Sequence, residues 1–145
     1  MFYVFLFDMQ YKIELRLPTV LEYSHLRTTV AWPAFEDRVI EVALSQTLFS
    51  VCIMHDDIIV GMGRVIGDNA IYFHLQDVIV NPAYQVQGIG DVIVEQCMAY
   101  IGKFSVQHTN IGLMCSKNRE PFYKRFGFIE RPNALHGAGM IKIIT

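Results

Sequence analysis

At 145 residues, 52% of them hydrophobic, the chain can bury about 68–70% of its unfolded surface around one core. Its net charge of −2 speaks against a general nucleic-acid binder, and no apolar run approaches the roughly 18–20 residues of a membrane span. No linker, repeat or low-complexity tract divides the sequence, so one domain over residues 1–145 is expected.

Residues 1–7 are apolar but lack a basic leader and meet Asp8 too early for a secretory signal. Residues 1–10 therefore read as an extra strand or a poorly ordered lead-in. Residues 11–17 alternate apolar and polar side chains like a half-buried strand. Pro18 then suits the first turn of a helix carrying Leu21, Leu26 and Val30, which Trp32-Pro33 stops. A second helix over residues 36–46 places Val39, Ile40, Ala43 and Leu44 on one face. Strands over 48–54, 58–66 and 71–80 follow, joined by His55-Asp56-Asp57 and Gly67-Asp68-Asn69 into an antiparallel meander. Gly61 and Gly63 have strand patterning on both sides, which predicts a bulge or close backbone contact and no ligand. A helix over 89–102, a strand over 109–114, a helix over 120–126 and closing strands near Phe128 and Ile141 complete a mixed sheet flanked by helices.

Cys52, Cys97 and Cys115 form no C-x-x-C pair and are odd in number, which predicts reduced thiols in a cytoplasmic protein. The histidines form neither H-E-x-x-H nor a Cys/His cluster, so metal-free chemistry is expected. Charge is uneven. Residues 1–63 sum to −4 and residues 64–145 to +2, a difference that solvated helix faces account for as well as charged ligands do.

The most informative stretch is residues 77–90, Asp-Val-Ile-Val-Asn-Pro-Ala-Tyr-Gln-Val-Gln-Gly-Ile-Gly. It runs from an apolar strand, closed by Pro82, into the glycine-rich start of a helix. Free amides at such a start, with about +0.5 of charge, suit a diphosphate. A Walker loop is excluded because Gly90 is followed by Asp91 and Val92, not Lys and Ser or Thr. The dinucleotide fingerprint fails because its third glycine falls on Ile93 and no acid stands about 20 residues on. What remains, Gln85 to Gly90, is Q-x-x-G-x-G, which resembles the acyl-coenzyme A signature of the GNAT superfamily of N-acyltransferases. A second block, Cys115-Ser-Lys-Asn-Arg-Glu-Pro-Phe-Tyr-Lys-Arg-Phe-Gly-Phe-Ile-Glu130, resembles the later motif of that superfamily, in which a tyrosine-bearing helix ends at Gly-Phe. The resemblance covers roughly residues 58–130. Within it, the Asp77 to Gln85 strand and Phe122 to Phe128 look most like serotonin (arylalkylamine) N-acetyltransferases of the plant and cyanobacterial type.

The resemblance implies an α/β (α+β) fold: a mixed, mostly antiparallel central sheet flanked by helices and splayed between its fourth and fifth strands. It implies acetyl-coenzyme A as cosubstrate, no metal, and direct acetyl transfer to a primary amine, most simply a small-molecule acceptor; it leaves room for a homodimer. Tyr123 would be the general acid for the leaving thiolate. The base would be Asp77, slightly favoured as the plant-type residue, or His74, unless water relays the proton. Strict alternation puts His74, Gln76, Val78 and Val80 on one strand face and Phe73, Leu75, Asp77 and Ile79 on the other, unless a bulge intervenes. Val78, Ile79 and Val80 would line the pantetheine arm. Gln85, Val86, Gln87, Gly88, Ile89 and Gly90 would offer amides to the pyrophosphate, and Ser116, Lys117 and Asn118 would touch the arm or a phosphate. Trp32, Phe35 and Tyr72 would wall the acceptor pocket. Two residues depart from the pattern: Val86, where glycine or a polar residue is usual, and Asp91, where small or basic residues predominate. The alternative from another class is a noncatalytic acyl-coenzyme A sensor or interaction module.

Overall fold

The computed structural model describes residues 4–6 and 10–145. The remaining positions of the expected lead-in lie outside the described residues. The described elements are β1 (Val4–Leu6), β2 (Tyr11–Glu14), α1 (Val20–Thr29), α2 (Asp37–Ser45), β3 (Phe49–His55), β4 (Ile58–Gly67), β5 (Tyr72–Val80), a 3₁₀ turn (Pro82–Tyr84), α3 (Ile89–Phe104), β6 (Asn110–Leu113) and α4 (Glu120–Lys124). The chain falls into two compact units, residues 1–112 and 113–145.

In the first unit the strands follow chain order across one sheet, and β1 to β5 pair antiparallel throughout. The Asp56-Asp57 turn between β3 and β4 has positive φ at both residues, as a two-residue hairpin with right-handed strand twist requires. After β5 the connection is a crossover through α3, which permits a parallel neighbour. Asn110, opening β6, donates to the Ile71 carbonyl just before β5, and Gly112 lies beside His74; the two strands therefore start together and run parallel. β6 ends at Leu113 whereas β5 continues to Val80. Counted from β2, this is the expected parting between the fourth and fifth strands.

Helices cover both faces. On one side Tyr23 and Leu26 of α1 and Ile40 and Leu44 of α2 pack on Cys52, Met54, Ile59, Met62 and Ile79. A capping box fixes the start of α1: Glu22 N–H donates to the Thr19 hydroxyl and the Thr19 amide to the Glu22 carboxylate. The buried stripes are narrower than the sequence pattern suggested, since Leu21 and Val39 are largely exposed and only the core-facing positions i, i+3 and i+4 are covered. β2 also stops at Glu14, before the expected Leu17; Leu15 and Leu17 are exposed.

On the other side α3 presents Ile89, Ile93, Cys97 and Ile101, spaced by four, to β3, β4 and β5. The glycines of β4 are where this helix sits. A Cβ on Gly63 would stand 2.4 Å from Ile93 Cγ2, and one on Gly61 3.0 Å from Ile89 Cγ2. Gly63→Ala is therefore expected to lose about 1–3 kcal/mol through overpacking, read as a lower denaturation midpoint at unchanged slope.

The second unit carries α4 but neither of the expected closing strands: residues around Phe128 and Ile141 are irregular. None of residues 113–145 is buried, and Ile129, Met140, Ile141, Ile143 and Ile144 are each more than two-thirds exposed. Their apolar, β-prone sequence suggested strands, but β-propensity depends on a partner strand and a face to cover.

Candidate active site: the bulge, the loop and the uncapped helix

A bulge in β5 decides which side chains meet. Arg64 pairs with Gln76 and Ile66 with His74, but two residues back along β4 Met62 pairs with Ile79, so β5 contains one extra residue. Cross-strand partners share a face. Before the bulge His74 and Gln76 lie with Arg64; after it Ile79 lies with Met62 over α1 and α2, while Val78 turns to Gly63 on the α3 side. Asp77, at φ +52°, sits at the switch and points toward α1. Strict alternation is thereby corrected: His74 and Asp77, expected on opposite faces, share one.

Asp77 is 3% exposed and its carboxylate is occupied on both oxygens. Oδ2 accepts from Arg64 Nε at 2.6 Å and from the Tyr23 hydroxyl at 2.8 Å; Oδ1 lies 3.5 Å from Arg27 Nη1 and 3.4 Å from Gln76 Nε2. Arg64 continues to the Ala43 carbonyl and the Thr47 hydroxyl. Burial, and then the adjacent Asp77 charge, push the Tyr23 hydroxyl above its ordinary pKa, which keeps it a donor. This geometry weighs against Asp77 as a proton acceptor, because a substrate proton would have to displace an arginine or the tyrosine. His74 is half-buried and faces the side-chain-free Gly112. Burial lowers its pKa below 6.5, against a smaller opposing contribution from Gln76, and leaves a neutral imidazole able to accept a proton near pH 7.

Beyond the bulge, Asn81 donates to the Val60 carbonyl and closes β5, and its side chain caps the 3₁₀ turn through the Ala83 amide. Gln85 Nε2 then reaches back to the Val80 carbonyl. Val86 and Gly88 both have left-handed φ, +62° and +82°, with Gln87 between them; alternation of this kind aims successive amides into one concavity. Gly88 is the N-cap of the sixteen-residue α3 and supplies no side-chain cap, which leaves the amides of Ile89 and Gly90 for an anion. Asp91 occupies the first turn of α3, where its charge complements the helix dipole.

The loop is braced by residues that motif reading overlooked. The Tyr11 hydroxyl donates to Gln87 Oε1, and the rings of Tyr11, His55 and Tyr84 cluster with centroids 5.3–6.5 Å apart. Val86 is the weak point of the loop. Its side chain is fully exposed, and a β-branched residue in the left-handed region costs about 1–2 kcal/mol. Val86→Gly removes that strain without losing burial, and a gain of about 1 kcal/mol in stability is expected after the extra freedom of the unfolded chain is subtracted, read as a higher melting temperature.

The other sequence-derived residues are distributed as follows. Trp32 is half-buried against the α1–β core and Phe35 is about half exposed, both in the α1–α2 loop. Tyr72 opens β5, about 16 Å along the strand from Asp77, so it is not brought to the bulge. Val78 and Val80 are half-buried and Ile79 is buried. In the second unit, Ser116, Lys117 and Asn118 are exposed in the turn before α4. Tyr123 on α4 stands edge-on to Phe122 (4.9 Å) and Phe128 (6.1 Å). Gly127, at φ +87°, ends that helix with its amide on the Lys124 carbonyl, which is why Gly-Phe follows the tyrosine.

The profile of the acetyltransferase (GNAT) domain family matches residues 24–142. The chain belongs to the GNAT acetyltransferase family. Among solved structures, this GNAT domain is similar to a probable acetyltransferase of unknown function from meticillin-resistant Staphylococcus aureus, with 32% identity, a TM-score of 0.83, and coverage of 92% of this chain and 99% of that one. A GNAT family protein from Streptococcus pneumoniae TIGR4 follows at 26% identity, a TM-score of 0.78 and coverage of 92% and 98%. Among curated proteins, an uncharacterized N-acetyltransferase, ycf52, of Pyropia yezoensis is 24% identical over 120 residues, covering 80% of this chain and 68% of its own length. The chloroplastic GCN5-related N-acetyltransferase 2 of Arabidopsis thaliana is 32% identical over 79 residues, 54% of this chain and only 30% of that protein. The GNAT fold implies use of acetyl-coenzyme A. The uncapped start of α3 and its nest-like loop fit the diphosphate of that cosubstrate.

Proposed function

We propose that this GNAT domain transfers the acetyl group of acetyl-coenzyme A directly to a primary amine. The observation that carries the reading is the continuous run of bulged strand, nest-like loop and uncapped helix over residues 77–90. In the proposed assignment, Gln85, Val86, Gln87, Gly88, Ile89 and Gly90 hold the diphosphate by main-chain amides, Val78, Ile79 and Val80 line the pantetheine arm, and Ser116, Lys117 and Asn118 add polar contacts.

The chemistry then needs two proton transfers. An alkylammonium with pKa near 10 is about 0.1% neutral near pH 7, a cost of about 4 kcal/mol, so removal of its proton is the larger demand. We assign that role to His74, directly or through water, since its lowered pKa keeps it neutral and it shares the bulge face with Asp77. The amine nitrogen forms a bond to the thioester carbonyl carbon, the carbon–sulfur bond breaks, and Tyr123 protonates the departing thiolate. Trp32 and Phe35 are proposed as one wall of the acceptor site. Tyr72 stays in the proposal as a more distant contact, and an arylalkylamine acceptor is supported by the aromatic wall and by the plant-type motif. A cytoplasmic setting, supported by three free thiols, belongs to the same proposal. Thiol release from acetyl-coenzyme A across a panel of aryl, alkyl and polyamine acceptors tests it. Turnover with amines is expected; coenzyme A stabilisation without turnover would favour a sensor, and neither would remove the reading. At about 100 times the dissociation constant, coenzyme A should stabilise the fold by about 2.7 kcal/mol.

A further inference from the structure

The α1–α2 loop and the β5 bulge share one side chain. Arg27 of α1 donates Nε and Nη2 to the Pro33 carbonyl at 3.0 and 2.9 Å, while Nη1 lies 3.4 Å from the Tyr23 hydroxyl and 3.5 Å from Asp77 Oδ1. Its guanidinium carbon stands 5.4 Å from the Trp32 ring centre and 5.0 Å from that of Phe35. Asp77 already has a closer cation in Arg64. Neutralising Asp77 therefore does not by itself account for the second arginine, whose fork and flat faces are spent on the loop. We propose that Arg27 is a positioning residue that clasps the α1–α2 loop to the bulge, so that the conformation of Trp32 and Phe35 is tied to the backbone of β5 through Asp77. This rests on the reading of that loop as an acceptor wall.

Lysine cannot reproduce the device, because it keeps the charge but lacks the planar fork. Arg27→Lys and Arg27→Gln are thus expected to leave the acetyl-coenzyme A KM within about twofold, since the diphosphate loop is untouched, and to raise the amine KM about tenfold or more. Trp32 is the only tryptophan in the chain, so its fluorescence reports the loop without turnover. Its emission should shift to longer wavelength in both variants, and also in Asp77→Asn, although Asp77 lies on a different element. Combining Arg27→Gln with Asp77→Asn should add no further shift, as coupled residues require. If Asp77→Asn does not fold, Arg27→Lys decides: an unchanged amine KM with unchanged Trp32 emission overturns the clasp. An equal loss for both substrates overturns it too, by marking general damage, as does a Trp32 shift in the Arg27 variants that Asp77→Asn fails to reproduce. A wild-type chain with neither thiol release nor stabilisation by coenzyme A would remove the acetyl-transfer reading instead, and the emission comparison would still judge the clasp.

Discussion

Asp77→Ala is expected to destabilise the fold by about 3–5 kcal/mol, because it strands the Arg64 guanidinium in the core with its carboxylate partner gone. That is a large share of the roughly 5–15 kcal/mol that holds a domain together. The loss has three sources in the structure. Arg64 is only 8% exposed, so water cannot replace the missing anion. The Tyr23 hydroxyl loses its buried acceptor. The bulge loses the side chain that turns toward α1, while the substituted alanine would still have to adopt positive φ. Urea denaturation is the measurement, and Asp77→Asn, which keeps the shape but not the charge, should fall between the wild type and alanine. A variant of wild-type stability with abolished turnover would instead make Asp77 the base.

Tyr123→Phe is expected to reduce kcat about 10²- to 10⁴-fold, the range a positioned general acid contributes. The substitution removes one oxygen and keeps the ring that stands edge-on to Phe122 and Phe128, so the packing of α4 should persist. Binding of coenzyme A, followed by thermal shift, should be retained. Slowed turnover with intact binding separates the acid from a packing role; wild-type rates in the variant would exclude it.

The fold was legible where local signals and periodicity agreed. The meander, the crossover helix and the glycine-bearing turn that opens it could be placed because Asp-Asp, Pro82 and Gly88 punctuate apolar runs whose period is unambiguous. The internal electrostatics were legible only in retrospect. Arg64 is the one charge in β4 and Asp77 the one carboxylate in β5; two lone opposite charges on consecutive antiparallel strands are a signal for a buried pair. The bulge between them could not be read, because it depends on pairing register, and it moved Asp77 to the side of His74. The closing strands failed for a related reason: Ile141, Ile143 and Ile144 have strand chemistry, but a strand is defined by a neighbour, which no propensity specifies.

The hydroxyl of Tyr11 that steadies Gln87 is separated from it by 76 residues of chain. A ribosome therefore releases Tyr11 long before Gln87, and this brace of the loop forms only once β2 has joined the meander. The order of the loop is in this way a property of the finished sheet, carried by a contact between residues far apart in the chain.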